Sequence, residues 1–337
     1  MKMNITHRFH WVGTAVPAVC GRHGVPSLPL AVLLMLVFLL AGGCATTNPP
    51  APDEQYRDPV LVQLDSSARA AFAEGNYARA ARFYELALGR ARTADFGAEI
   101  AKAAYNRGAC LILLKQPEPA RAVLREAGGE FARQHEDASS AWLLEARAEL
   151  MMSNRVAATL LVDRVLSSGE DRDVQLQAWL LKGEMALQES QTDLARLALG
   201  KARALLHKEP ALQAGVSSLA GKVALADGKP VDAALNFDKQ AVFLQRAARW
   251  ADMAYALQQA GEAYGQAFQA DAATLRFYRA ARSYYAQGML VPALQAVELA
   301  VQSSSKTTDE VLAADTGRLL EEIKRQVGVA QTAVGAE

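Results

Sequence analysis

From Val60 to about Arg325, apolar residues recur at steps of three and four, and the strict alternation of a half-buried strand is nearly absent. Alanine, the strongest helix former, is abundant over the same stretch. The pattern predicts an all-α body, and it is self-similar. An alanine, a bulky residue four positions later and another small residue three or four beyond it recur with anchors at Ala80, Ala120, Ala158, Ala195, Ala233 and Ala273. Successive anchors are 40, 38, 37, 38 and 40 residues apart, enough for two helices of four or five turns and their connections. Twelve residues before each anchor stands a second small residue, in turn Ala68, Gly108, Ala146, Gly183, Gly221 and Gly261. Helices cross closely only where side chains are small, so each such pair of positions predicts the crossing point of a helix pair.

The segment from Gly75 to Leu88 contains a turn glycine, the small Ala80, the aromatic Tyr84 and the closing Ala87, and it resembles the tetratricopeptide repeat (TPR) family. Similar sets are Gly108 with Ala120, Leu124 and Ala127; Gly221 with Gly228, Ala233 and Phe237; and Gly261 with Tyr264, Ala273, Phe277 and Ala280. Trp142 and Trp179 stand four residues ahead of Ala146 and Gly183, where the family often has tryptophan. The resemblance covers residues 61 to about 305 and implies a TPR-like α-solenoid, a right-handed superhelix of antiparallel helix pairs. Repeats three and four match least, with Val162 and Leu199 in place of the aromatic knob. The period exceeds the family's usual length of about 34, so lengthened helices are expected. After Ala273 the next similar anchor is Ala293, which implies that the helix from about Ala272 to Gln287 is shared between pairs or that the array changes register. A last helix is predicted after Thr307, Thr308, Asp309 and Glu310, with Val311, Leu312, Leu319, Leu320 and Ile323 on one face and Asp315, Arg318, Glu322 and Arg325 away from it. It reads as a capping helix over the apolar end of the array.

In arrays of this family the first helix of each pair lines a concave groove. The resemblance therefore assigns a partner-binding groove to Tyr105, Ala109, Ile112, Leu143, Arg147, Leu150, Leu180, Glu184, Leu187, Ser218, Lys222, Leu225, Gln258 and Glu262. These residues are apolar with scattered charges of both signs, which suits an extended or helical peptide segment. The lysine and asparagine clamp by which some members hold C-terminal carboxylates of chaperones is absent. An alternative is that these positions only pack between turns of the superhelix.

Ahead of the repeats, Leu30 to Ala41 is an uncharged apolar run of 12 residues, too short for the roughly 20 that span a bilayer core. It reads as the core of a signal peptide. The run leads into Leu40, Ala41, Gly42, Gly43 and Cys44, which resembles the lipobox of bacterial lipoproteins and implies diacylglyceryl transfer to the Cys44 thiol with cleavage before it. Two or three acyl chains, at about 0.8 kcal/mol per buried methylene, would hold the protein to a membrane almost permanently. Ala45 in place of aspartate after the cysteine favours, by the rule for enteric lipoproteins, an outer-membrane anchor facing the periplasm. The stretch from Ala45 to Asp58, with Pro49, Pro50 and Pro52, reads as a tether of about 40 Å. The chain thus divides into a signal peptide over 1–43, the lipidated cysteine and linker over 44–58, the repeat array over 59–305, and a capping helix with a short tail over 306–337.

Composition adds mainly exclusions. With 51% hydrophobic and 21% charged residues there is ample material for a core. Lys2, Arg8 and Arg22 precede Cys44 without any acid, which leaves 33 basic against 36 acidic groups in the remainder and no electrostatic reason to expect nucleic acid. Once Cys20 is removed and Cys44 acylated, Cys110 has no disulfide partner, and its place beside Leu111 and Ile112 reads as a small buried hydrophobe. His135 and His207 have no second histidine or cysteine at metal spacing, so neither a metal nor a cofactor is expected. Ser303 and Lys306 match a Ser-x-x-Lys spacing but read as a loop and helix cap. The expectation is a non-catalytic, lipid-anchored scaffold that binds a protein or peptide partner in envelope assembly, secretion or polysaccharide export. The alternatives are a helical accessory domain or activator of a cell-wall enzyme, and a structural spacer without a groove ligand.

Overall fold

A computed structural model describes residues 58–168 and 171–334. The described residues form helices and turns with no strand. The helices run α1 (Pro59–Ala73), α2 (Tyr77–Thr93), α3 (Gly97–Leu113), α4 (Pro117–Arg133), α5 (Ser139–Met151), α6 (Arg155–Ser168) and α7 (Arg172–Gln188). They continue as α8 (Thr192–Leu205), α9 (Pro210–Ala226), α10 (Pro230–Arg246), α11 (Trp250–Gln266), α12 (Ala270–Ala286), α13 (Leu290–Ser304) and α14 (Glu310–Val334). Each helix packs on the next in sequence, and several odd-numbered helices also touch across, as α7 does with α9. The result is a TPR-like α-solenoid of antiparallel pairs. The signal peptide, Cys44 and the linker expected ahead of it lie outside the described residues.

One turn design sets the spacing. At the end of α1 the Asn76 N–H donates to Ala71 O at 2.9 Å and the Gly75 N–H to Phe72 O at 3.0 Å, a Schellman turn that satisfies the last carbonyls of the helix. The residue at its centre is left-handed, and the same conformation recurs at Asp95, Lys115, His135, Ser153, Ser190, Gly228, Ala248, Phe268 and Gly288. A 17-residue helix plus a three-residue turn makes a unit of 20, which is why the left-handed residues fall at 75, 95, 115 and 135 and again at 228, 248, 268 and 288. Two units give the period of 40. In the middle of the array α5 has 13 residues and α6 and α8 have 14 each, which shortens the period there. Seven of the helix starts carry a side-chain cap, from Asp58, Asn76, Asp171 or Asp309, or a proline in the first positions, as in α1, α4, α9 and α10. His135, Glu136 and Asp137 form a solvated turn, and Asp137 accepts from the Ser139 N–H at 2.8 Å.

All six anchor alanines are fully buried, and the knobs Tyr84, Leu124, Val162, Leu199, Phe237 and Phe277 are buried with them. A Cβ added at Gly108 would lie 2.5 Å from Leu124, at Gly221 2.5 Å from Phe237, and at Gly261 2.8 Å from Phe277. These glycines are therefore seats for the knobs. The fourth pair departs from the rule: a Cβ at Gly183 would meet Leu219 of α9 at 2.6 Å and Ala198 at 3.3 Å, with Leu199 not among its nearest neighbours. There the following pair supplies the knob. Trp142 and Trp179, at the position where the family often has tryptophan, are only half-buried. The Arg164 guanidinium lies 3.6 Å from the Trp142 ring centroid and the Lys182 ammonium 5.6 Å from that of Trp179, so each indole spans the boundary between core and solvent.

At the C-terminal end the shared-helix expectation describes the packing. Ala281 of α12 stands twelve residues before Ala293 of α13, both are fully buried, and Val297 fills the knob position. Thus α12 is the second helix of one pair and offers a crossing point to the next. The last helix α14 begins at the Asp309 cap, which accepts from the Leu312 N–H at 2.9 Å. The Thr307 and Thr308 hydroxyls do not cap it but bind Asp271 on α12, and those bonds hold its carboxyl below the usual range. Thr316, Leu319 and Ile323 are buried beneath α14 and Leu312 and Leu320 half-buried, whereas Val311, expected on that face, points to solvent.

Among charges inside the array, Glu145 and Glu149 of α5 face Arg125 of α4, whose guanidinium donates to them at 2.6 and 3.2 Å. Burial raises the Glu145 pKa, and the Arg125 hydrogen bond offsets this only in part. The folded protein thus holds that proton to higher pH than the unfolded chain does. The destabilising contribution is present at neutral pH and vanishes as pH falls below the ordinary glutamate value of about 4.3. Glu145→Gln is expected to raise the melting temperature at neutral pH, with a gain that disappears near about pH 4. The knob seats give a second expectation. Gly221→Ala should cost about 1–3 kcal/mol by overpacking against Phe237, while Gly200→Ala, with open space at its Cβ on an exposed helix, should add about 1 kcal/mol. Urea unfolding midpoints of the two variants check the contrast.

Candidate partner-binding groove

The residues assigned to the groove fall on α3, α5, α7, α9 and α11 at three recurring helix positions, four and three residues apart, so each helix presents them on one face. Along the array the middle positions are Ala109, Arg147, Glu184, Lys222 and Glu262. Tyr105, Leu143, Leu180, Ser218 and Gln258 stand one turn before, and Ile112, Leu150, Leu187 and Leu225 one turn after.

Burial separates these residues into two sets. Tyr105, Ala109, Ile112, Leu143, Arg147, Leu180 and Ser218 are buried. They pack between neighbouring helices and offer little to an incoming chain, which corrects the expectation that all fourteen line an open surface. Leu150, Glu184, Leu187, Lys222, Leu225 and Gln258 are half-buried and Glu262 is exposed. The accessible residues of the set therefore lie on α5, α7, α9 and α11, with the apolar Leu150, Leu187 and Leu225 toward the ends of α5, α7 and α9 and the charged and amide side chains one turn or more before them.

A polar seam crosses this floor. The Lys222 ammonium donates to Glu184 at 2.5 Å, and the Gln258 amide to Glu262 at 3.1 Å. The Arg147 guanidinium donates to the Gln177 side chain at 3.2 Å. Burial pushes the Arg147 pKa down to about 10, against the stabilising fields of Tyr105 and Glu184. Burial likewise pushes the Tyr105 phenol up to about 12, with Arg147 and a bond to Ser140 opposing the rise. Tyr255 joins from α11, its phenol also raised by burial and lowered in part by Lys222. The Ser218 hydroxyl is buried without a hydrogen-bond partner. Gln177 and Tyr255 lie outside the expected groove set. Their position one turn ahead of Leu180 and about one turn ahead of Gln258 was the signal that could have found them.

The other candidates for chemistry separate from this seam. Cys110 is fully buried, and burial raises its thiol to about 12, so the reactive thiolate is suppressed. His207 is exposed, 2.6 Å from Asp173 near the start of α7. Among the described residues no group of three His, Cys, Asp or Glu could hold a metal ion.

No protein-family model and no curated protein matches the sequence. Among solved structures, the chain is similar to the crystal structure of the APC/C hetero-tetramer Cut9–Hcn1, with 14% identity and a TM-score of 0.45. That match covers 78% of this chain and 52% of the other, so the chain spans about half the length of that relative. It is similar to the C-terminal part of a TPR repeat-containing protein from Cytophaga hutchinsonii, at 12% identity over 76% of this chain and 93% of the other, with a TM-score of 0.45. A tetratricopeptide repeat protein from Parabacteroides merdae matches at 11% identity over 79% and 100% of the two chains, with a TM-score of 0.44.

Arg147 is the residue of the seam most committed to the interior. Arg147→Ala is expected to destabilise the array by about 2–4 kcal/mol, through lost packing and polar groups left unpaired, and Arg147→Met to recover most of that loss. Urea denaturation of the two variants decides it. In fold, the chain is a tetratricopeptide-repeat-like solenoid.

Proposed function

We propose that this chain is a non-catalytic scaffold, lipid-anchored at Cys44, that holds an extended or helical segment of a protein partner along the first-helix groove. Its setting in this reading is the periplasmic side of the outer membrane, in envelope assembly, secretion or polysaccharide export. The observation that carries the binding role is the accessible seam of Glu184, Lys222, Gln258 and Glu262 beside the apolar strip of Leu150, Leu187 and Leu225. Polar side chains flanking an apolar strip fix the register of a bound segment, and the strip supplies the area it buries. The lipobox-like run ending at Cys44 supports the anchoring.

A spacer without a groove ligand is the second reading, and the burial of seven of the fourteen groove residues favours it. One experiment separates the two. In crosslinked membranes the scaffold is expected to capture a specific protein, and the paired reversal Lys222→Glu with Glu262→Lys to reduce that capture at least tenfold. Equal capture by both forms supports the spacer. Independently, Cys44→Ser is expected to leave protein without acyl chains by mass spectrometry; retention of acyl chains would remove the anchoring half of the proposal.

A further inference from the structure

On the side of the array away from the groove, the second helices of four consecutive pairs repeat one pattern. The sixth residue of each is a leucine: Leu160 in α6, Leu197 in α8, Leu235 in α10 and Leu275 in α12, exposed by 67, 54, 47 and 38%. Four residues on, and so on the same face, each helix carries a cation: Arg164, Lys201, Lys239 and Arg279, all exposed. The acids that precede two of these cations are already engaged, Asp163 by Lys182 at 2.7 Å and Asp238 by Arg276 at 2.8 Å. Among the salt bridges of the described residues, none includes any of the four cations. The pattern is specific to these pairs, since the same two positions hold Arg82 and Leu86 in α2 and Ala122 and Glu126 in α4.

Packing inside the array does not require leucine at an outward position, and a solvated face would carry polar residues there. A row of leucines, each one helical turn from a cation outside any salt bridge, with Arg164 alone stacked on an indole, has the chemistry of an interfacial contact. Apolar side chains enter the headgroup boundary while the cations meet anionic phosphates. We propose that this leucine and cation ladder is a bilayer-contact surface, which lays the solenoid against anionic phospholipid. The proposal rests on the Cys44 reading for bringing a membrane within reach of the tether, and on the ladder alone for the contact.

The test uses the chain from residue 44 carrying Cys44→Ser, so that no acyl chain contributes, and sedimentation with vesicles. Binding is expected to phosphatidylethanolamine vesicles containing phosphatidylglycerol and not to phosphatidylcholine vesicles. Each cation near an anionic surface strengthens binding about fivefold, so Lys201→Glu, Lys239→Glu and Arg279→Glu together should weaken it at least about a hundredfold. Leu197→Ser, Leu235→Ser and Leu275→Ser together should weaken it at least about tenfold. All six positions are exposed, and unchanged helical circular dichroism verifies that the fold is kept. Absence of binding to the anionic vesicles overturns the proposal. So does a leucine variant that binds as well as the parent, since the face then serves an acidic protein by charge alone. Failure of the Cys44 reading is seen separately, as the absence of acyl chains on the protein isolated from cells.

Discussion

Everything in this architecture depends on how closely two helix backbones approach where a large side chain of one sits on a glycine or alanine of the other. At Gly108, Gly221 and Gly261 there is no room for a methyl group beside Leu124, Phe237 and Phe277. Each contact sets the distance of one pair, and repetition of the contact makes the pairs stack. Dispersion forces act over such short separations that the seats must be filled to native density for the stack to be rigid. The core is accordingly a series of modest clusters strung along the array, each made by two or three neighbouring pairs.

The turns convert this local rule into a regular length. A Schellman closure after each 17-residue helix returns the chain antiparallel, in three residues everywhere except after α4, where five are used, and it does so whether the left-handed position is glycine or, as at Ala248 and Phe268, a residue with a side chain. Such residues carry a backbone cost of about 1 kcal/mol in that conformation, which the closure of two carbonyls and the packing of both helices outweighs. Where the helices shorten, at α5, α6 and α8, the knob of the fourth pair is supplied by Leu219 from the next pair.

Much of this was legible in the order of residues. The anchors from Ala80 to Ala273 are contacts between helices adjacent in sequence, so a single periodicity reports them directly. The accessible part of the groove was not legible to the same degree. Whether Leu143 or Leu150 is open depends on how tightly one first helix meets the first helix of the next pair, a distance that no local pattern encodes. The tryptophans differ for a related reason: Trp142 and Trp179 occupy a position where the family often has tryptophan, yet their ring faces are covered by the cations of Arg164 and Lys182. Val311 was assigned inward by its spacing alone, although in the first turn of α14 it is exposed.

The two-sided packing of α12 bears on how such a chain can change length. Because that helix pairs backward with α11 and forward with α13 through equivalent small residues, the elementary module is a single helix with its turn. Gain or loss of one module at the C-terminal end would leave the preceding pairs in contact while transferring the exit of the chain from one rim of the solenoid to the other. Whatever is attached at the C-terminus could thereby be carried from one side of the array to the opposite side without redesign of the core.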